Sequence, residues 1–362
     1  MPEETNTSRV FPPTLNELEN AAEAVASREA WDYIAHGAGD EATMRANAEA
    51  WGRWRLRPHV LRDMTDVQVS ATVLGAPVAA PVLLAPTAMH RFVHDEGERA
   101  TARAAARAGV VYVVSMAATT SLEDVAAAAP GAPRWAQMYM LRDRGRTKTL
   151  AERARDAGYS AIVASVDGAA VPRRSRLEGG ALVPPAWFRF PNLAKPDDAD
   201  SSDLMGMVSD FDPATTFEDL ALFAEWSGLP VVVKGVMRGD DAVLCLDAGA
   251  AAIAISNHGG RTLDGVAATA EVLPEVVEAV DGRAEVYVDG GIRSGVDVLR
   301  ALCLGARAVM IGRPVLWGLA VGGEDGAAEV VTHLADELVR AMALCGRDRV
   351  ERVGTDLLLA AP

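Results

Sequence analysis

From Pro81 onward, short runs of apolar residues alternate with longer Ala-rich stretches whose apolar positions recur at helical spacing. The apolar runs fall at 82–86, 110–115, 135–139, 161–167, 231–234, 253–256, 286–289 and 309–312. Helical stretches lie between them at 96–108, 144–157, 217–227, 239–248, 269–281 and 295–304. Most of the runs are apolar throughout, which predicts strands buried on both faces in a parallel sheet covered by helices. About eight strand-helix units is the number that closes an α/β protein of the (β/α)8 TIM-barrel class. A doubly wound sheet is the alternative, but no Gly-x-Gly-x-x-Gly follows the first strand to support one.

The chain before Pro81 has a different texture. Residues 14–36 have a helical pattern that is expected to end at a glycine cap, Gly37. A second amphipathic stretch follows over 38–58, with Ala42, Met44, Ala46, Ala48 and Trp51 as its apolar positions and Pro58 as its stop. These predict an N-terminal helical extension, 1–60, packed on a barrel of 61–350, with a C-terminal tail of 351–362. One interval breaks the barrel rhythm. Residues 168–213, after the fourth strand, hold Arg173-Arg174, a Pro- and aromatic-rich segment at 184–191 and an acidic run at 197–203. A connection of that length reads as a lid insertion over an active site, with a mobile linker as the plainer alternative. A last amphipathic helix is expected at 325–345.

Charge narrows the possible partners. The 362 residues carry a formal net charge of -15 and a pI near 4.9, which argues against general affinity for nucleic acid or an anionic membrane. Any anion must therefore be held by a local cluster. No apolar run approaches the roughly 18 residues that cross a bilayer, and the first residues lack the basic and apolar regions of a signal peptide, so the expected location is cytoplasmic. Cys245, Cys303 and Cys345 are widely spaced in apolar helical contexts and read as small buried hydrophobes.

Chemistry collects where the strands end, because barrel active sites are built at that face. The ends supply Pro86-Thr87-Ala88, Ser115, Gln137 with Tyr139, Ser165 with Asp167, Lys234, Ser256 with His258, Asp289-Gly290-Gly291 with Arg293, and Gly312-Arg313. The last two loops, glycine-rich and each carrying an arginine ahead of a helix, predict a phosphate site. Lys234 closes an apolar run and so needs an anion or strong dipole. With Gln137 and the hydroxyls of Ser115, Ser165 and Ser256, it suits a heteroaromatic ring edged with carbonyls and N–H groups, such as an isoalloxazine. His258 has the character of a general base oriented by Asp167. Arg261 and Arg174 could hold a carboxylate. His90 and His94 have helical spacing but suggest no third ligand, so no metal is expected.

The segment Ser256-Asn-His-Gly-Gly-Arg-Thr-Leu-Asp-Gly265 resembles the FMN-dependent α-hydroxy acid oxidase and dehydrogenase family, over roughly residues 14–350. Its pattern recurs at Val233-Lys-Gly235, Asp289-Gly-Gly-Ile-Arg293, Ile311-Gly-Arg-Pro314, Pro86-Thr-Ala88 and Gln137-Met-Tyr139. The resemblance implies a (β/α)8 barrel with FMN as cofactor, a 2-hydroxy acid substrate and oxygen as acceptor. It implies that His258 takes a substrate proton, that Asp167 pairs with it, and that Arg261 and Arg174 hold the carboxylate. Tyr33 and Tyr139 would contact substrate, and Lys234 would face the N1/C2 carbonyl edge of the flavin. A tetramer or octamer is implied as well. Departures cluster after the fourth strand, where Gly168-Ala-Ala-Val-Pro172 replaces the usual Thr-Pro and glycine. Ala117 stands where a Trp often lies, which favours a bulky, mandelate-like substrate, and Ala88 favours an oxidase over a dehydrogenase. An isomerase on the same phosphate-binding barrel, or a flavin protein without turnover, are the other classes open to the sequence.

Overall fold

Each apolar run expected to be a strand is one. The computed structural model describes residues 11–170, 188–194 and 209–359. A hairpin of β1 (Ala71–Val73) and β2 (Ala76–Val78) precedes eight strands: β3 (Val82–Leu84), β4 (Tyr112–Ser115), β5 (Arg134–Met138), β6 (Ala161–Ser165), β7 (Val231–Val236), β8 (Ala252–Ile255), β9 (Glu285–Val288) and β10 (Ala308–Ile311). These eight pair in parallel, in chain order, and close where β10 meets β3.

Two buried clusters explain why the strands are apolar on both faces. Leu83, Val113, Trp135, Val163, Val232, Ala254, Tyr287 and Met310 point inward and pack on one another inside the barrel. Their neighbours Val82, Leu84, Val114, Ala136, Ile162, Val233, Ile253 and Val309 point outward beneath the helices. The hairpin was not expected from the sequence. It turns on Leu74 and Gly75, both at positive φ (43° and 78°), the two-residue turn that matches strand twist. Ala71, Val73 and Val78 join the inner cluster. Leu74 N–H donates to Glu285 at the start of β9, so the hairpin stoppers the N-terminal end of the barrel.

The N-terminal extension is three helices, α1 (Leu15–Val25), α2 (Arg28–Ala35) and α3 (Ala42–Arg53). The stretch expected to be continuous over 14–36 is broken because Ser27 caps α2, accepting from Ala30 N–H at 3.2 Å. Gly37 is not its cap. The chain leaves α2 through His36 in an extended conformation. In α3 the expected apolar positions 42, 44, 46 and 48 fall on different faces, since residues two apart on a helix do not share one. The buried face is Thr43, Asn47, Ala50 and Trp51.

The remaining helices are α4 (Gly97–Ala108), α5 (Leu122–Ala128), α6 (Arg144–Asp156), α7 (Leu220–Ser227), α8 (Gly239–Asp247), α9 (Thr269–Val280), α10 (Gly295–Cys303) and α11 (Arg313–Leu344). α5 and the first half of α11 were not anticipated. α11 is broken at Gly322 and Gly323, so the helix expected at 325–345 is its second half. Within 168–213, Phe188 and Phe190 are buried, and Asp212 N–H donates to Met140 O at 2.9 Å. Arg173, Arg174 and the acidic run lie outside the described residues. Beyond α11, Leu357 and Leu358 are buried, and Leu358 bridges back to Leu56. The three cysteines are buried and free. Among the described residues no helix is long and apolar enough to cross a membrane.

Candidate active site

Strand alternation carries the inner row of the barrel into a cavity at the C-terminal ends of the strands. Two residues beyond Val113, Trp135, Val163, Val232, Ala254, Tyr287 and Met310 come Ser115, Gln137, Ser165, Lys234, Ser256, Asp289 and Gly312. Residues two apart share a face, so each polar strand end continues an inward-facing row. Tyr33, Pro86, Thr87, Ala88, Ser115, Gln137, Tyr139, Ser165, Lys234, His258, Arg261, Asp289, Gly290, Gly291, Arg293, Gly312 and Arg313 line this one cavity. Asp167 and Ser256 stand behind its wall, and Arg174 lies outside the described residues.

Lys234 is 3% exposed. Its Nζ donates to Ser256 Oγ at 2.8 Å and lies 3.0 Å from Asp289 Oδ2. Ser256 Oγ donates to the same Asp289 oxygen at 2.9 Å and accepts His258 N–H at 3.0 Å. Burial alone would lower the pKa of the ammonium, but Asp289 and then Asp167 outweigh it and hold the pKa above its usual value. Lys234 is a fixed cation. Two expectations change as a result. Ser256 does not edge the cavity but ties the lysine to the histidine backbone. Asp289 is the counter-ion of Lys234, and a carboxylate in that position repels a phosphate rather than cradling it.

His258 sits just past β8 with φ 58°, a left-handed backbone that costs a non-glycine residue about 1–2 kcal/mol. Its Nδ1 lies 3.0 Å from Asp167 Oδ2. Burial alone would raise the Asp167 carboxyl, yet the His258 ring, and then Lys234, hold it below the usual carboxylate value. With Nδ1 donating to that carboxylate, Nε2 is the nitrogen left to accept a substrate proton. Gly235 makes the room for this pair. It is the bulged residue between Lys234 and Val236, at φ 113°, and a Cβ there would lie 2.8 Å from Asp167 Cβ.

At the other end of the cavity, the N-terminus of α10 is not the expected phosphate cradle. Ser294 accepts from Asp297 N–H, Asp297 accepts from Arg293 N–H, and Gly295 N–H donates to Glu337 at 2.8 Å. Those donors are taken, and two carboxylates face them. The loop before them and the start of α11 are different. Burial pulls the Arg293 guanidinium below its ordinary pKa, with Glu19 and Asp297 offsetting it only in part, and the group stacks over the Trp317 ring at 4.8 Å. Gly312 begins α11 with no side-chain cap. An anion at this end would compensate Arg293.

A model of the FMN-dependent dehydrogenase family matches residues 22–360. The chain is 44% identical to the L-lactate oxidase of Nostoc sp., covering 96% of this chain and 98% of that protein. It is 43% identical to the 4-hydroxymandelate oxidase of Amycolatopsis orientalis, covering 93% and 95%. The chain belongs to the FMN-dependent α-hydroxy acid oxidase and dehydrogenase family. Among solved structures, a mandelate oxidase with (S)-4-hydroxymandelic acid superposes with a TM-score of 0.88 at 41% identity, covering 94% of this chain and 97% of that one. As a member of this family, the chain is an FMN-dependent enzyme of 2-hydroxy acid oxidation.

The donor set fits that cofactor. Gln137 Nε2 donates to Ser165 Oγ at 3.0 Å, giving an amide and hydroxyl edge beside the Lys234 cation, as a flavin ring requires. Asp289 Oδ1 is buried with no hydrogen-bond partner among the described residues, an acceptor suited to a ribityl hydroxyl. Arg293 and the uncapped start of α11 suit a terminal phosphate.

Several functional contacts had no sequence signal beyond the family likeness. Arg261 Nη1 donates to the carbonyls of Tyr33 and His36 at 2.9 and 2.8 Å, and its guanidinium lies 5.1 Å from the Tyr33 ring. Arg313 donates to Ile34 O, His36 O and Gly259 O. The two arginines thereby satisfy the last carbonyls of α2, which is why no glycine cap follows it. They also clasp Tyr33, whose hydroxyl donates to Ala88 O at 3.0 Å, to the mouth of the cavity. Asn47 on α3, absent from the expected set, exchanges two hydrogen bonds with Asn257 beside the histidine.

Proposed function

We propose that this site oxidises the (S)-enantiomer of a 2-hydroxy acid with a bulky or aromatic side chain to the 2-oxo acid, and delivers the electrons to oxygen as hydrogen peroxide. The observation that carries the chemistry is the His258–Asp167 pair at 3.0 Å on the wall of a cavity that also presents Arg261. His258 Nε2 takes the substrate hydroxyl proton, and Asp167 stabilises the imidazolium formed. Arg261, anchored to the end of α2, orients the substrate carboxylate, with Arg174 as its expected second clamp. Bound FMN supplies the two-electron acceptor. Lys234 holds a positive charge at the base of the cavity where negative charge accumulates. Tyr33 and Tyr139 bound the space left for the substrate.

The size of the substrate is read from the walls. Ala88, Ala117, Gly168 and Ala170 add little bulk to the cavity lining. Beside them the lining is aromatic, since Tyr139 stacks on Phe211 with centroids 4.3 Å apart and planes at 18°. Gly168 is required by that stack, because a Cβ there would lie 2.5 Å from Tyr139 Cε1. A flat aromatic substituent suits such a slot. The homologous mandelate oxidase bound to (S)-4-hydroxymandelic acid supports the same choice. Anaerobic mixing of the FMN-loaded protein with glycolate, lactate, mandelate and 4-hydroxymandelate tests it. Fastest flavin bleaching by the two aromatic acids, and prompt reoxidation in air with peroxide release, is expected. Preference for glycolate would overturn the substrate class, and slow reoxidation would overturn the oxidase. The family likeness also supports a homo-oligomer, a tetramer or octamer, which light scattering measures.

A further inference from the structure

We infer that Asn47, on the N-terminal helix α3 and outside the cavity lining, is a positioning residue for His258. This rests on His258 acting as the base.

The Asn47 and Asn257 amides face each other and exchange both bonds. Asn47 Nδ2 donates to Asn257 Oδ1, and Asn257 Nδ2 donates to Asn47 Oδ1, each at 2.8 Å. Three backbone groups fix which way round the amides stand. Thr269 N–H donates to Asn47 Oδ1 at 3.3 Å, Gly260 N–H donates to Asn257 Oδ1 at 3.2 Å, and Asn257 Nδ2 donates to Ala267 O at 3.1 Å. Turning either amide over would set donor against donor or acceptor against acceptor, so the pair has one polarity. Both residues are buried, Asn47 at 2% and Asn257 at 4% exposure.

The pair acts on the turn that presents the base. Asn257 precedes His258, and Gly260 N–H, held by the Asn257 side chain, also donates to Asn257 O at 3.0 Å, closing the turn around the histidine. On its other side His258 N–H is held by Ser256 Oγ. The left-handed backbone at His258 is thus gripped from below by the Lys234–Ser256–Asp289 group and from the side by Asn47. A backbone conformation of this kind persists only where its surroundings over-determine it. The same helix stands against the glycine loop: a Cβ on Gly291 would lie 1.9 Å from Asn47 O, and Trp51 Nε1 donates to Gly290 O at 2.8 Å. Asn47 could therefore serve the base loop or the cofactor loop, and the two roles separate experimentally.

Asn47→Ala and Asn47→Asp are compared in the FMN-loaded enzyme. Asn47→Asp keeps the shape but places a carboxylate oxygen against Asn257 Oδ1, a repulsion that turning the Asn257 amide only moves to the other oxygen, so the pair must part and loosen the turn that Asn257 closes with Gly260. Both variants are expected to keep the FMN dissociation constant within about threefold. The limiting rate constant of anaerobic flavin reduction should fall roughly 100-fold, the scale of a small misplacement of a catalytic group, with little change in the substrate dissociation constant. Wild-type reduction rates in the folded Asn47→Asp variant would overturn the proposal, as would failure of Asn47→Asp to fold. A large loss of FMN affinity with an unchanged reduction rate at saturating FMN would assign Asn47 to the cofactor loop instead. His258→Ala, measured alongside, separates this from the identity of the base: if it too reduces flavin at the wild-type rate, the reading of His258 fails rather than that of Asn47.

Discussion

A methyl group on Gly235 should uncouple the base from its carboxylate with neither residue substituted. In Gly235→Ala the new Cβ would stand 2.8 Å from Asp167 Cβ, 2.9 Å from its Cγ and 3.1 Å from its backbone nitrogen. Carbon atoms pack at about 3.5–4.0 Å, so Asp167 must retreat by roughly 0.7–1.2 Å. Its contact with His258 Nδ1, now 3.0 Å, would then lengthen past hydrogen-bond range. Among the described residues Asp167 has little else to bind, since its Oδ1 is buried with no partner there. Alanine at φ 113° adds backbone strain of about 1–3 kcal/mol, a loss of a few degrees in Tm for a domain of this size. The rate constant for flavin reduction should drop about 100-fold, as for a group displaced by an ångström. Lys234 keeps Ser256 and Asp289, so FMN should still bind. Stopped-flow anaerobic reduction, with an FMN titration and a thermal melt on the same sample, reads all three quantities. A variant that melts lower yet reduces flavin at the wild-type rate would refute the claim that Gly235 is kept for the base.

Other perturbations probe separate parts of the site. Lys234→Met removes the ammonium from a buried carboxylate and should cost about 3–5 kcal/mol in chemical denaturation, with Asp289→Asn added to it recovering part of that loss. Because the Asp167 carboxyl is held below its usual pKa, the stability it contributes is present above its unfolded value and lost as pH falls through the folded one. The stability gap between the wild type and Asp167→Asn, measured by urea unfolding, should therefore be full near neutrality and close below about pH 4. Ala117→Trp should add bulk to the cavity lining and lower kcat/KM for mandelate by about 10-fold or more relative to lactate; an unchanged ratio would remove Ala117 from the substrate wall.

Much of this site was legible because strand alternation is strict. Val113 to Ser115, Trp135 to Gln137, Val232 to Lys234 and Tyr287 to Asp289 are each a step of two, so a buried row that turns polar at its end announces both the barrel and its mouth. What the pattern left out is the identity of each partner. Asp289 reads equally well as part of a glycine-rich anion loop or as a counter-ion, and only the 3.0 Å contact with Lys234 decides. Helix α3 misled for a related reason: its alanines scatter over all faces, while the face that matters carries a threonine and an asparagine whose partners lie more than 200 residues away. Tyr33 was visible only through the family resemblance, since nothing local distinguishes it from any other buried helical tyrosine. Its place depends on Arg261 and Arg313 reaching across to the end of α2.

The most direct test of the central claim is a single-turnover experiment without oxygen, in which the FMN-loaded wild type and His258→Ala are each mixed with (S)-mandelate and the visible flavin absorbance is followed. The wild type should bleach in one fast phase. The variant, with the same starting spectrum and FMN affinity, should bleach slower by a factor of about 10²–10⁴, the contribution of a general base. Equal rates in the two proteins would show that the His258–Asp167 pair is not the base of this enzyme.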